Sequence, residues 1–268
     1  MTEKRFAFGK NWANYVETSL SEQQIHVATQ ALQDLLGLTT LEGRTFLDIG
    51  CGSGLHSLAA FRLGAKQIIS FDYDSDSVKT TEKLRGEVGN PAHWTVFQGS
   101  ILDPELVAQY RADIVYSWGV LHHTGNMWQA IRNAGSMVNP GGLFCIAIYN
   151  RMDRWLSGGS SAQWAKIKHY YVNSPAWRKA LIIQIYKIHF ILTTIFIQRK
   201  NPFKYIRSYG ERGMNWHYDV IDWVGGYPFE YASPQEVTDF CSQNLRMTLL
   251  KSNVRGGHGC NEFTFQSS

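Results

Sequence analysis

From Arg44 onward, short apolar runs alternate with helical patterns. The run Thr45–Ile49 (TFLDI) is apolar and closed by glycines, which predicts a strand. His56–Gly64 has helical character and stops at a glycine, and Gln67–Asp72 (QIISFD) predicts the second strand. A helix over 76–85 leads to a third strand, Trp94–Gly99, and then a fourth, Ala112–Trp118. Met127–Val138 is helical, Asn139–Gly142 (NPGG) is a turn, and Leu143–Asn150 (LFCIAIYN) predicts a fifth strand. Strands that are apolar throughout and separated by helices belong to a parallel sheet covered on both faces, the α/β class.

The flanks read differently. Asn11–Glu17 predicts a short aromatic helix; Ser21, a good N-cap, opens a second that runs to Leu36 and ends at Gly37. Residues 151–232 break the rhythm, are rich in Trp, Tyr, Lys and Arg, and predict a mostly helical cap insertion. Ser233 and Pro234 open a further helix. The stretch from Met247 reads as two strands around a Gly-rich hairpin, an antiparallel pair ending the sheet. The organisation expected is N-terminal helices or a lid (1–40), a core (41–150), the cap (151–232), and a C-terminal helix and strands that complete the sheet (233–268). Within the cap, Leu181–Ile197 is apolar on almost every face, interrupted by Gln184, Lys187 and His189. It is shorter than the roughly 20 residues of a membrane span. Burial, as a lid or dimer-interface helix, is the reading preferred to membrane contact.

The composition of 268 residues, 44% hydrophobic and 18% charged, excludes a disordered chain. A net charge of +4 is too small to argue for nucleic acid. Cys51, Cys145, Cys241 and Cys260 form no CxxC pair, so neither a zinc site of that kind nor a disulfide framework is expected. With no apolar leader in MTEKRFAFGKNW, the expected location is cytoplasmic.

The strongest chemical signal is Phe46–Ala60, FLDIGCGSGLHSLAA. Asp48 ends the strand, Gly50, Gly52 and Gly54 follow, and a helix begins at once. Glycines there allow a sharp turn and close approach to a ligand, while the helix start offers unpaired N–H groups. Asp72, at the end of the next strand, can accept both hydroxyls of a ribose. The dinucleotide spacing GxGxxG is absent, which speaks against NAD.

This segment resembles motif I of the class I S-adenosylmethionine-dependent methyltransferases. The resemblance continues through FDYDSDSV, GSILD and ADIVYSWGVLHHTGNMWQAI to NPGGLFCIAIYN, and so covers residues 45–150. SWGVLHHT followed by NPGG is similar to the branch of ubiquinone-biosynthesis and other small-molecule methyltransferases. It implies a Rossmann-like seven-stranded sheet, mostly parallel with an antiparallel C-terminal strand pair, and S-adenosyl-L-methionine as cofactor. Asp48 would contact the ligand's amino group or order the loop. Gly50 and Gly52 would pass under the methionine part, with Gly54 leading into the helix. Asp72 would hold the ribose and Tyr73 would lie against the adenine. Ser100 and Ile101 would stand beside the adenine. Many relatives carry an acid where Ser100 stands, and Asp103 is the alternative acceptor. Trp118, ending the fourth strand, joins the cofactor set, and Cys51 is a small filler of the loop.

His122 and His123 follow the fourth strand, where ligands of such sheets bind. Either can take a proton from an acceptor, His122 ranking first; the competing reading is a histidine that caps a helix or ties down a loop. In the related phosphobase methyltransferases a His here pairs with a Tyr of the N-terminal helix, which points to Tyr15. A second constellation, Trp216, His217, Asp219 and Asp222, is a candidate substrate lining. In a helix Asp219 and Asp222 share a face while His217 and Asp222 splay. No ligand spacing there is diagnostic, so no metal is assigned. Lys10 and Trp12 are candidate lid residues, and Asn261 and Glu262 fall near the substrate side.

The activity expected is methyl transfer to an O or N atom of a small-molecule, glycan or lipid-linked acceptor, with a homodimer as a further expectation. Nucleic acid is not expected as partner, because SWGVLHHT lacks the Asn/Asp-Pro-Pro-Tyr/Phe tetrad that stacks a flipped base. The basic run at 199–212 keeps an RNA substrate as the alternative, beside a non-catalytic cofactor-binding subunit.

Overall fold

Side chains of the first strand, β1 (Thr45–Ile49), divide by alternation between two cores. Leu47 and Ile49 enter one, Phe46 the other. The computed structural model describes residues 5–6, 8–9, 21–153, 159–197, 199–211 and 216–268. The helix expected over Asn11–Glu17 lies outside these residues.

Seven strands form one sheet in the order β3-β2-β1-β4-β5-β7-β6. They are β1, β2 (Gln67–Asp72), β3 (Trp94–Gln98), β4 (Ala112–Trp118), β5 (Val138–Tyr149), β6 (Met247–Asn253) and β7 (Cys260–Ser267). Strands β1 to β5 pair in parallel, and β7 runs antiparallel to both β5 and β6. The sequence places the start of the fifth strand at Leu143. In the fold β5 begins at Val138, because Ala112 pairs with Val138 before a register shift absorbs NPGG, of which Pro140 and Gly141 are exposed.

One face is covered by α1 (Glu22–Leu36), α2 (Leu55–Arg62) and α3 (Ser75–Glu87), which pack Leu32, Leu58 and Leu84 against Phe46, Ile68 and Ile114. The other is covered by α4 (Pro104–Gln109), α5 (Met127–Ser136) and α10 (Pro234–Leu245), which pack Leu106, Ile131 and Val237 against Leu47, Val115 and Phe144. Local sequence starts these helices. Asp74 and Asp103 accept the backbone N–H groups of Asp76 and Glu105, and Ser233 with Glu236 forms a capping box ahead of Pro234. Phe46 is fully buried, so its truncation to Ala costs about 3–5 kcal/mol.

The cap comprises α6 (Ser161–Asn173), α7 (Ala176–Phe196), α8 (Pro202–Glu211) and α9 (Trp216–Gly225). It has its own small core of Tyr171, Val172, Ile183, Val220 and Val224. The expected burial of Leu181–Ile197 does not hold within the chain. Only Ile183 and Thr194 of α7 are buried. The helix is apolar on two opposite faces, and the cap has an underside for only one of them.

Candidate active site

The strand order reverses between β1 and β4, and the loops after these strands flank the crevice at which ligands of open α/β sheets bind. After β1, Gly50, Gly52 and Gly54 all adopt positive φ (76°, 54° and 78°). A Cβ on Gly50 would lie 2.4 Å from Val120, so only glycine lets the loop pass beneath the turn that follows β4. Cys51 is buried and accepts a hydrogen bond from Thr81 at 3.3 Å. Burial raises its thiol well above the usual range, which makes it an inert filler.

Asp48 faces the α2 side of the sheet, opposite Ser70 in the register of β1 with β2. Its carboxylate accepts from Ser57 Oγ at 2.5 Å. The Ser57 and Ser70 hydroxyls are 2.7 Å apart, and Trp94 Nε1 donates to Ser70 at 2.9 Å. Through these bonds Asp48 ties the first turn of α2 to β2. Burial pushes its carboxyl up to about 7, with the Ser57 bond opposing.

Asp72 accepts from the backbone N–H of Gly52 at 3.0 Å and of Asp74 at 2.8 Å. Burial raises it to about 6, against the pull of these two bonds. Tyr73 beside it is 61% exposed and carries the Arg5 guanidinium 4.9 Å above its ring. Ser100 Oγ accepts from Leu102 N at 3.2 Å. The Ile101 side chain is in the core among Leu106 and Phe71. Asp103 caps α4. Trp118 Nε1 donates to Glu262 Oε1 at 2.9 Å, which links the end of β4 to β7. Nearby, His56 on α2 lies 5.0 Å from the Tyr116 ring, and burial lowers it to about 4.

Leu121–His123 forms one 3-10 turn after β4. His122 is fully buried, its ring 4.1 Å from that of Tyr149. Its Nδ1 accepts from Tyr149 N at 3.4 Å, so Nε2 carries the proton in the neutral ring; Nε2 has no hydrogen bond of good geometry among the described residues. His123 has the opposite tautomer. Its Nδ1 faces the carbonyl oxygen of Pro228 at 2.5 Å and must donate, which leaves Nε2 as an acceptor. Burial lowers both rings, His123 to about 3. The turn is pinned by Glu230: its N–H donates to His122 O at 2.9 Å, and its carboxylate accepts from Met127 N at the start of α5 at 3.0 and 3.1 Å.

Beyond Tyr149, the cap presents Lys168, Trp223 and Phe229. Lys168 is fully buried, donates to the carbonyl oxygen of Trp223, and lies 4.2 and 4.6 Å from the centroids of the Trp223 and Phe229 rings. Burial depresses its amine to about 7, with Asp222 pulling the other way. Asp219 is raised to about 6 by burial, opposed by Lys168. The 216–222 constellation therefore divides. Asp219 and Asp222 act on Lys168, whereas His217 is exposed and its Nδ1 is 2.9 Å from Lys187 Nζ on α7. Trp216 packs on Phe190, 5.6 Å between centroids. Among the described residues no three His, Cys, Asp or Glu side chains converge on a metal-sized position.

The N-terminal segment crosses the site. Phe6 N donates to Tyr227 O at 3.0 Å, Phe8 lies 4.9 Å from His123, and Gly9 N donates to Asp74 Oδ2 at 3.0 Å. Phe6, Phe8 and Gly9 thus strap the cap to the start of α3. Lys10, Trp12 and Tyr15 lie outside the described residues. Sequence reading missed Lys168, Tyr149, Glu230 and Phe6. One signal was present for Lys168, a lone base on the stripe Trp164, Lys168 and Tyr171 that α6 turns inward.

The chain matches a methyltransferase domain family over residues 20–222. A ubiquinone biosynthesis O-methyltransferase of Methylobacterium sp. (strain 4-46) is 33% identical over 122 residues, 46% of this chain and 47% of that one. A ribosomal protein L11 methyltransferase of Helicobacter hepaticus (strain ATCC 51449 / 3B1) is 32% identical over 124 residues, 41% of this chain and 38% of that one. The chain thus spans less than half the length of these curated relatives. The crystal structure of magnesium protoporphyrin IX methyltransferase from Synechocystis PCC 6803 with bound S-adenosylhomocysteine aligns at a TM-score of 0.56 with 11% identity, covering 97% of this chain and 94% of that one. At that identity the likeness is one of fold.

Proposed function

This chain belongs to the methyltransferase domain family, and from that premise we propose that it transfers a methyl group from S-adenosylmethionine to an oxygen of a small, largely apolar acceptor. The observation that carries the reading is the juxtaposition at the crevice. The positive-φ glycine loop, with Asp72 holding Gly52, stands beside the turn that presents His123 with an unprotonated Nε2.

These residues fit the cofactor. Gly50 lets the loop run tight beneath Val120, where a Cβ would clash, Asp72 supplies a carboxylate for vicinal hydroxyls, and the exposed face of Tyr73 suits a purine. The sulfonium, when bound, supplies an electrophilic methyl group for in-line attack. The protein's contribution is alignment and proton removal. With a pKa near 3, His123 is too weak a base to ionise a free hydroxyl. It need not do so. As the acceptor oxygen takes the methyl group its proton becomes far more acidic than an imidazolium, and Nε2 receives it late in the step. Pro228 holds Nδ1–H, so the accepting nitrogen is fixed before the acceptor arrives. His122, whose Nδ1 is occupied and whose Nε2 already carries hydrogen, is the weaker candidate in this arrangement. Trp164, Trp223, Tyr149 and Phe229 cluster over the turn and favour an aromatic or polyisoprenoid acceptor. The O-methyltransferase character of the ubiquinone-biosynthesis relative supports an oxygen acceptor.

Isothermal calorimetry with S-adenosylhomocysteine tests the cofactor. Mass spectrometry of extracts incubated with labelled S-adenosylmethionine, wild type against His123→Ala, tests the transfer. Heat with no methylated product in any extract would leave cofactor binding without the reaction.

A further inference from the structure

Helix α7 carries two apolar faces. The inner one, Ile183, Tyr186, Phe190 and Thr194, is fixed to the cap: Ile183 in the small core, Tyr186 5.5 Å from the Trp164 ring, and Phe190 5.6 Å from Trp216. The outer one is Trp177, Leu181, Ile185, Ile188, Leu192 and Phe196, each between 48% and 73% exposed. At 3.6 residues per turn these six fall on one stripe about 100° wide and about 28 Å long. A solvent-facing stripe of a water-soluble helix is ordinarily polar, and an apolar patch of this extent marks an interaction surface.

Charge identifies what covers it. Between Asp153 and Glu211 the chain has ten Lys and Arg residues and no Asp or Glu. Both ends of the stripe are basic. Arg178 stacks on Trp177 at 4.9 Å, and Arg199, Lys200, Lys204 and Arg207 are exposed just beyond Phe196, around Phe203, itself 80% exposed. A second copy docked two-fold on this stripe would bring one basic rim against another. An anionic bilayer surface complements both features: acyl chains meet the apolar stripe and headgroup phosphates meet the rim.

We propose that α7 and the start of α8 lay this protein on an anionic phospholipid membrane, with α7 parallel to the surface. The helix is long and apolar enough to cross a bilayer by length and composition. Crossing would strip Ile183, Tyr186 and Phe190 from the cap and break the Lys187–His217 contact, whereas lying flat keeps all of them. The α7 face thereby attaches the cap, and with it the crevice, to the surface in which apolar acceptors dissolve.

The test is flotation of the full chain with vesicles, which needs no catalysis. Wild type is expected to float with vesicles of phosphatidylcholine mixed with phosphatidylglycerol, and about tenfold or more weakly with phosphatidylcholine alone. Ile185→Glu/Ile188→Glu alters only exposed positions, and its melting curve checks the fold; it is expected to abolish flotation. Lys200→Gln/Lys204→Gln is expected to weaken flotation and flatten its salt dependence. The proposal is overturned if wild type does not float with mixed vesicles, or if the Ile185/Ile188 variant floats as well as wild type. It is also overturned if sedimentation shows a dimer that this variant converts to monomer while wild type ignores vesicles.

Discussion

His123 donates its Nδ1 proton to the carbonyl oxygen of Pro228, and that single bond decides which nitrogen of the ring can serve an acceptor. The neighbouring His122 is held the other way round, its Nδ1 accepting from Tyr149 N. Two histidines adjacent in sequence thus have opposite chemistry, set by the backbone group each one faces. His123→Ala is expected to lower kcat by about 10²–10⁴ while S-adenosylhomocysteine affinity stays within a few-fold. His122→Phe keeps the stacking on Tyr149 but takes away the acceptor of Tyr149 N, so its melting temperature should fall below wild type. Retained turnover in His123→Ala would return the role to another group.

Asp72 is the carboxylate whose loss should be felt most in cofactor binding. Given its proposed role of holding the ribose, Asp72→Ala is expected to weaken S-adenosylhomocysteine binding by about tenfold to a hundredfold. With the carboxyl raised to about 6, protonation at lower pH removes its accepting capacity. Wild-type affinity measured by calorimetry should therefore decline as pH falls below about 6. Asp72→Asn should show weak, pH-independent binding.

Glu230 joins the histidine turn to the first N–H of α5. A carboxylate at a helix N-terminus contributes about 0.5–2 kcal/mol. Glu230→Gln should lower the melting temperature by about 2–4 °C per kcal/mol lost and reduce kcat through a looser turn. An unchanged melting curve together with unchanged kcat would show that the contact matters to neither.

The N-terminal strap rests on a glycine. A Cβ at Gly225 would stand 2.3 Å from the Phe6 ring. Gly225→Ala should displace the strap, speed tryptic cleavage after Arg5, and raise the dissociation rate of S-adenosylhomocysteine in stopped-flow fluorescence. Cleavage at the wild-type rate would mean that Phe6 does not hold the segment in solution.

Lys168 has a depressed folded-state pKa of about 7, whereas an unfolded lysine titrates near 10.4. Between these values the unfolded chain binds the proton that the folded one lacks. Stability from this group therefore rises with pH from about 7 to about 10, and its cost is constant below 7. Lys168→Met, which fills similar volume without a charge, should be as stable as wild type or more so at pH 7. Urea midpoints from pH 7 to 10 should show the wild type gaining on the variant; parallel curves would contradict the burial of an ionisable amine.

Much of the core was legible in the chain because it is locally coded. Glycines at 50, 52 and 54, the apolar strand before them and Asp72 one strand later are spacing signals, and the fold uses them as spaced. Seven strands with an antiparallel end follow from the same alternation and hairpin. The side-chain roles were less legible where partners are distant. Asp48 finds Ser57 and Ser70 because β1 and β2 are in register, and Ile101 is drawn into the core by Phe71 and Leu106.

What the sequence by itself determined is the sheet, its glycine loop and the acid beside it, since strand period and turn chemistry act over a few residues. Tertiary structure alone decided which histidine nitrogen is free, that Lys168 is enclosed by Trp223 and Phe229, and that one side of α7 meets no other part of the described chain. Each depends on groups tens to more than a hundred residues apart, and burial, tautomer and exposure are properties of those pairings.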